Sequence, residues 1–217
     1  MQLYQLPVSL YSFKVRLALA LKGVQVPMIE PHEGSYRSAA YRQLVPPGTV
    51  PALVGAGLVL TESDAIIEYL DDTHGGLRLV DGTPERKARV RMVSRLNDLQ
   101  LEPQVRALFA YVAPHQRDAR QVSETSTRIG DKLQLMEWAL DAHGPFAVDD
   151  KVSLADCGIA ATLTWFVALA PMLPPTLKPG PRLDRVSHAL SSDAVAGPAL
   201  IGYRALVDAW VSSKLGS

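Results

Sequence analysis

Glu62-Ser63, at the head of an apolar-periodic segment, and Val50-Pro51, at the mouth of a strand, are residue types that together can hold a charged peptide. Pro51 opens its strand, where a missing N–H does least harm. An X-Pro bond at that place is a candidate for the cis isomer, which would turn the N–H and C=O of Val50 outward to pair with a peptide unit. Ser63 is placed to cap the helix that follows, and its hydroxyl with the first-turn N–H groups forms an anion site. Glu62 can take an ammonium. A carboxylate, an ammonium and a peptide unit are the parts of a γ-glutamyl peptide. The same residues also read as an ordinary strand, turn, strand and capped helix with no ligand.

The elements that must position these groups are legible in order. Thr49 to Leu70 reads as strand, turn, strand and helix. Ahead of it, Gln2–Leu6 is a short strand stopped by Pro7. Ser12–Leu21 carries Val15, Leu17, Ala18, Leu19 and Leu21 at helical spacing, with Gly23 as its C-terminal stop. Val24–Ile29 is the next strand, so the unit is βαβ and its strands are expected to be parallel. Pro31–Pro47 is polar, with a short helix around Tyr36, Arg37, Tyr41 and Arg42.

Gly75-Gly76 breaks the pattern, and beyond it the chain is helical: Glu85 to about Ala113, Val122–Ala142, Leu154 to about Leu169, Leu183–Leu190, and Pro198 to about Ser213. The expected architecture is an α/β domain over residues 1–77, a linker over 78–84, and an all-α helical bundle over 85–217. Ser153-Leu154-Ala155-Asp156 is a capping box, a structural device. Cys157, one turn in, reads as a small buried hydrophobe.

The chain has 217 residues, enough for a substantial core. Lys plus Arg number 22 and Asp plus Glu number 22, so no net field favours nucleic acid or an anionic membrane. Neither partner is expected. One cysteine excludes an internal disulfide and fits a reducing compartment. No membrane-spanning apolar run is expected, and Met1-Gln2-Leu3-Tyr4 opens as a strand without signal-peptide character, so the expected location is cytoplasmic.

Val50-Pro51-Ala52-Leu53 followed by Glu62-Ser63-x-Ala65-Ile66 resembles the glutathione-binding half of the glutathione transferase family. The element order is likewise similar to the thioredoxin-like fold that the family shares. Ser9-Leu10-Tyr11-Ser12-Phe13-Lys14-Val15-Arg16 resembles the active-site stretch of the zeta class. So do Ala18–Gly23, Ile66–Leu70, Arg89–Val93 and the capping box.

The resemblance implies glutathione as co-substrate, no metal, and binding through Thr49, Val50, Pro51, Glu62 and Ser63. Thr49 stands where the family often has a longer polar residue. A thiol with a pKa near 8.5 is mostly protonated at neutral pH, so a hydroxyl beside a helix N-terminus must stabilise the thiolate. By position Ser9 matches the family's serine, with Ser12 and then Tyr11 as rivals; Tyr4 is a more distant one. Without that role, Ser9 is a turn residue and Ser12 the helix cap.

The resemblance also implies a homodimer in which Asp98 reaches glutathione across the subunit boundary. The basic residues Arg86, Lys87, Arg89, Arg91, Arg95 and Arg106 read as a solvated face or dimer contact. Arg106 and Tyr111 are the candidates to meet the second substrate, a small hydrophobic or anionic electrophile. Two departures bear on chemistry: Tyr11 stands where the zeta class has a cysteine, and Ala168 where it has an arginine. Both family residues are associated with isomerising the dianion maleylacetoacetate, and losing a cation removes an interaction worth about 1.5 to 3 kcal/mol. Arg106, Arg37 and Arg42 are possible replacements. The expected function is therefore transfer of glutathione to an electrophile, with the isomerase and a non-catalytic binding module as alternatives.

Overall fold

A computed structural model describes residues 1–216. Its first half is a four-stranded sheet of β1 (Gln2–Tyr4), β2 (Met28–Ile29), β3 (Ala52–Gly55) and β4 (Leu58–Leu60), in the order β2-β1-β3-β4. β1 and β2 are parallel, with Leu3 opposite Met28. The crossover between them is α1 (Leu10–Lys22), as the βαβ reading requires. β3 is antiparallel to both β1 and β4, with Leu53 opposite Leu3 and Leu60.

Alternation along the strands sorts the side chains onto two faces. Leu3 and Leu53 join α1 and α3 (Ser63–Thr73) in the main core, with Leu17, Ile66 and Leu70. Tyr4 and Ala52 point the other way and pack with Tyr41 and Val45 around α2 (Ala39–Leu44). The thioredoxin-like half thus carries helices on both faces of its sheet.

The strands are shorter than the sequence suggests. Only Met28–Ile29 of the expected Val24–Ile29 strand pairs, because Pro27 has no N–H to give and contributes only its carbonyl, to Leu3. α1 starts at Leu10 rather than Ser12, since Ser9 and not Ser12 caps it.

The second half is helical: α4 (Pro84–Leu96), α5 (Glu102–Ala107), α6 (Ala119–Ala139), α7 (Leu154–Leu169), α8 (Pro181–Ser192) and α9 (Ala196–Leu215). The single helix expected from Glu85 to Ala113 is broken. Pro103 removes an N–H and crowds the carbonyl four residues back, and the ladder widens into a π turn over Asn97–Leu101. There the Glu102 N–H reaches the Asn97 carbonyl, five residues earlier.

α7 is the central helix and packs on α1, α4 and α9. Contrary to the sequence expectation, Leu154–Met172 is long and apolar enough to cross a membrane; 83% of that stretch is buried by its neighbours, so its apolarity serves the core. Each fully buried Leu, Ile or Phe there contributes about 1.5 to 3 kcal/mol. At its start the Asp156 carboxylate accepts the Ser153 N–H at 2.8 Å and the Ala147 N–H at 2.8 Å.

The connection between the halves is clasped by Asp71 of α3. Its carboxylate accepts the N–H groups of Leu79 at 2.8 Å and Val80 at 2.7 Å, and the buried ammonium of Lys22 at 2.8 Å. Lys22 also donates to the Leu77 carbonyl at 2.7 Å.

Candidate active site

Between the two halves lies a cavity of about 530 Å³. The sheet half supplies Ser9, Tyr11, Thr49, Val50, Pro51, Glu62 and Ser63 to its wall. The helical half supplies Asp98, Glu102 and Arg106 from the stretch around the π turn, and an aromatic end of Phe109, Trp165 and Trp210.

Ser9 is the N-cap of α1, with extended backbone angles (φ −65°, ψ 127°) and its Oγ accepting the Ser12 N–H at 3.3 Å. A hydroxyl that accepts in this way keeps its own hydrogen to donate. The loop carrying it is fixed by Arg16, whose guanidinium donates to the Pro7 carbonyl at 2.6 Å, to the Leu6 carbonyl at 3.3 Å and to Gln5. Burial holds the Arg16 pKa below its ordinary value.

The peptide-holding groups meet on the same wall. The Val50–Pro51 bond is cis, and Val50 lies just ahead of the strand ladder, which begins at Ala52. The Tyr41 hydroxyl fixes the approach by donating to the Thr49 carbonyl at 2.8 Å. Ser63 is not the cap expected of it. It is the first residue of α3, and Glu62 takes the N-cap position with no side-chain capping bond. Glu62 does so at φ 65°, ψ 117°, a conformation that costs a non-glycine residue about 1 to 3 kcal/mol. That strain sits where a ligand amine and carboxylate would be held.

Behind this wall is a charge cluster that the sequence reading did not single out. Lys14 is fully buried, and its ammonium donates to Asp64 at 2.5 Å, Asp98 at 2.6 Å and the Ser94 hydroxyl at 3.0 Å. Burial alone would lower its pKa; the carboxylates of Asp98 and Asp64 outweigh that and hold it raised. Ser94 donates in turn to Asp64. The cluster fits beside α7 because position 158 is glycine: a Cβ there would lie 3.1 Å from Asn97, 3.2 Å from Asp98 and 3.3 Å from Lys14. The available signal was spacing, since Lys14 falls four residues from both Leu10 and Ala18 on the buried stripe of α1.

Family models match both halves, the N-terminal domain of glutathione S-transferase over residues 3–78 and its C-terminal domain over residues 106–190. A rat protein named maleylacetoacetate isomerase is 32% identical over 82% of this chain and 82% of its own. The chain belongs to the glutathione S-transferase family. A maleylacetoacetate isomerase of Pseudomonas aeruginosa is 34% identical over 72% of this chain and 76% of its own. Among solved structures, a maleyl pyruvate isomerase described as a bacterial zeta-class glutathione S-transferase superposes with a TM-score of 0.72. It is 25% identical, covering 92% of this chain and 96% of that one.

Within this family frame, some expected site residues lie outside the cavity wall and others are hydrogen-bonded within the chain. Ser12 is fully buried and outside the cavity wall, its Oγ accepting the Leu6 N–H at 3.4 Å. Tyr11 lines the cavity, but its hydroxyl donates to Glu102 at 2.8 Å and approaches the Asp98 carbonyl at 3.2 Å. Burial, then the negative charges of Glu102 and Asp98, push its pKa far up, so it stays protonated. Tyr4 packs against Tyr41 with ring centroids 5.7 Å apart. Asp98 lines the cavity, and its carboxylate accepts from Lys14 and Asn97 of the same chain.

Tyr111 is a partly buried core residue and is not part of the cavity wall. Arg37 lies over the ring of Tyr36, 5.5 Å from its centroid, and neither it nor Arg42 lines the cavity. Arg106 does. Its Nε stands 2.8 Å from Glu102 Oε1, an ion-pair contact without the alignment of a hydrogen bond. Burial raises the Glu102 pKa against the lowering effect of Arg106.

Proposed function

We propose that the chain is a glutathione transferase in which the Ser9 hydroxyl donates to the glutathione thiolate as it attacks a small electrophile. The observation that carries this is Ser9 itself. Its Oγ accepts the Ser12 N–H, leaving its hydrogen directed to no acceptor among the described residues, on the wall of the cavity shared with Val50, Glu62 and Ser63.

Val50 pairs with the cysteinyl peptide unit, Glu62 takes the γ-glutamyl ammonium, and Ser63 with the first N–H groups of α3 takes its carboxylate. The sulfur then lies at the start of α1, where the hydroxyl and the helix N-terminus both favour its charged form. The thiolate forms a carbon–sulfur bond and the leaving group departs with its electron pair. Arg16 acts through the loop, holding Ser9 in place.

Two copies pair through α3, α4 and the edge strand β4, where Met92 and Val59 are exposed apolar side chains. A second reading, glutathione-dependent isomerisation, draws support from the names of the similar rat and Pseudomonas aeruginosa proteins. Mass spectrometry of the reaction mixture separates the two. Transfer accumulates a glutathione conjugate, whereas isomerisation returns glutathione intact.

A further inference from the structure

Given the reading of the cavity as a glutathione site, on which this rests, we propose that Glu102 is the base that receives the proton of the glutathione thiol, through the hydroxyl of Tyr11. A thiol that becomes a thiolate must hand its proton on. Ser9, which donates to the sulfur, cannot also accept from it.

The cavity wall narrows the choice of acceptor. Among the described residues no histidine lines it, and four carboxylates do, on Glu62, Asp64, Asp98 and Glu102. Asp64 and Asp98 are occupied by the buried Lys14 ammonium at 2.5 and 2.6 Å, and Asp64 also accepts from Ser94 at 3.1 Å. Glu62 is the partner of the γ-glutamyl ammonium. Glu102 combines burial with an open oxygen: its side chain is 1% exposed, Oε2 accepts the Tyr11 hydroxyl at 2.8 Å, and Oε1 has no hydrogen bond, Arg106 Nε standing 2.8 Å away but out of line. A buried carboxylate that is incompletely hydrogen-bonded is held less firmly in its charged form. Burial raises the Glu102 pKa, and Asp98 adds to this, against Arg106 and the Tyr11 bond. That brings it nearer the pKa of a thiol and makes the transfer less uphill.

Tyr11 is the link. It stands two residues past Ser9, in the first turn of α1, and lines the same cavity. Its hydroxyl donates to Glu102, and its oxygen accepts no hydrogen bond among the described residues, so a lone pair remains for an S–H. As the S–H bond breaks, its electron pair stays on sulfur. The proton passes to the Tyr11 oxygen while the proton already there passes to Glu102 Oε2. Tyr11 is neutral before and after, as its strongly raised pKa requires. The negative charge has moved from Glu102 to the sulfur, where the Ser9 hydroxyl and the start of α1 receive it. When the thiolate displaces a leaving anion, Glu102 gives up the proton and regains its charge, so each turnover expels one proton and one anion.

Stopped-flow ultraviolet absorbance of thiolate formation, on the full chain mixed with saturating glutathione at fixed pH, tests this. In the unaltered protein the rate should be independent of buffer concentration, because the acceptor is internal. Glu102→Gln keeps the shape of the side chain and should slow thiolate formation by about 10²-fold or more, and the residual rate should rise with buffer concentration. The pKa of the bound thiol should stay or fall in this variant, since a negative charge has been removed. Tyr11→Phe should slow formation in the same way. A rate in the unaltered protein that is proportional to buffer concentration overturns the proposal without any variant, and so does a Glu102→Gln rate equal to that of the unaltered protein. A slowed Glu102→Gln whose bound-thiol pKa has risen to match also overturns it, because lost structure then accounts for the effect. Any of these with glutathione bound in calorimetry leaves the glutathione site standing; no binding at all overturns that reading and the base assignment together.

Discussion

Lys14 Nζ lies 2.6 Å from Asp98 Oδ2, joining the first helix of the sheet half to the π turn of the helical half at the edge of the cavity. Asp64 completes the contact from α3. The three side chains therefore fix the separation of the two walls between which glutathione and its partner would meet.

Lys14→Met should destabilise the protein by about 3 to 5 kcal/mol, because it leaves two partly buried carboxylates facing each other without a cation. Urea denaturation followed by tryptophan fluorescence measures this. The raised Lys14 pKa sets the sign of the pH effect: the stabilisation is complete below the unfolded pKa of lysine and is lost as pH rises through the folded one.

Asp156 behaves in the opposite sense to an ordinary surface aspartate. Burial raises its pKa to about 6 despite the N–H groups it accepts, so between the ordinary aspartate value of 3.8 and 6 the folded state holds a proton that the unfolded state has lost. Stability from this group is greatest below that window and falls as pH rises through it. Asp156→Asn cannot titrate. The stability difference between wild type and Asp156→Asn should therefore shrink by about 1 kcal/mol from pH 5 to pH 7, read from paired urea curves. A gap that widens over the same range contradicts the assignment.

Ser63→Ala should weaken glutathione binding by about 1 to 3 kcal/mol in isothermal titration calorimetry, since the site loses a hydroxyl partner for a carboxylate. Unchanged affinity would remove Ser63 from the site.

The sequence made the order of elements in the sheet half and the peptide-holding wall legible because proline, glycine and the Glu-Ser pair punctuate the chain locally. Pro51 and Glu62-Ser63 sit on one wall as their spacing implied. What escaped depends on tertiary packing. The positive φ of Glu62 contradicts the local preference of glutamate and is imposed by the surrounding fold. Lys14 looks like a solvated charge until Asp64 and Asp98 arrive from elements far along the chain. Tyr11 has the right position for a thiolate donor, yet Glu102, 91 residues further along the chain, takes its hydroxyl. Pro103 was visible in the sequence, but the width of the π turn it accompanies was not.

Light scattering at micromolar concentration should give a dimer mass. With Asp98 bound to Lys14 in its own chain, Asp98→Asn should change monomer stability more than it changes the dimer dissociation constant. The reverse order would support a cross-subunit role for Asp98.

The central claim is that the Ser9 hydroxyl stabilises the thiolate, and ultraviolet titration of thiolate absorbance in the glutathione complex tests it most directly. Ser9→Ala should raise the pKa of bound glutathione by about one unit or more, each unit worth 1.36 kcal/mol, while affinity for the tripeptide changes little. An unmoved pKa in Ser9→Ala, with a shift in Tyr11→Phe or Ser12→Ala instead, would contradict it.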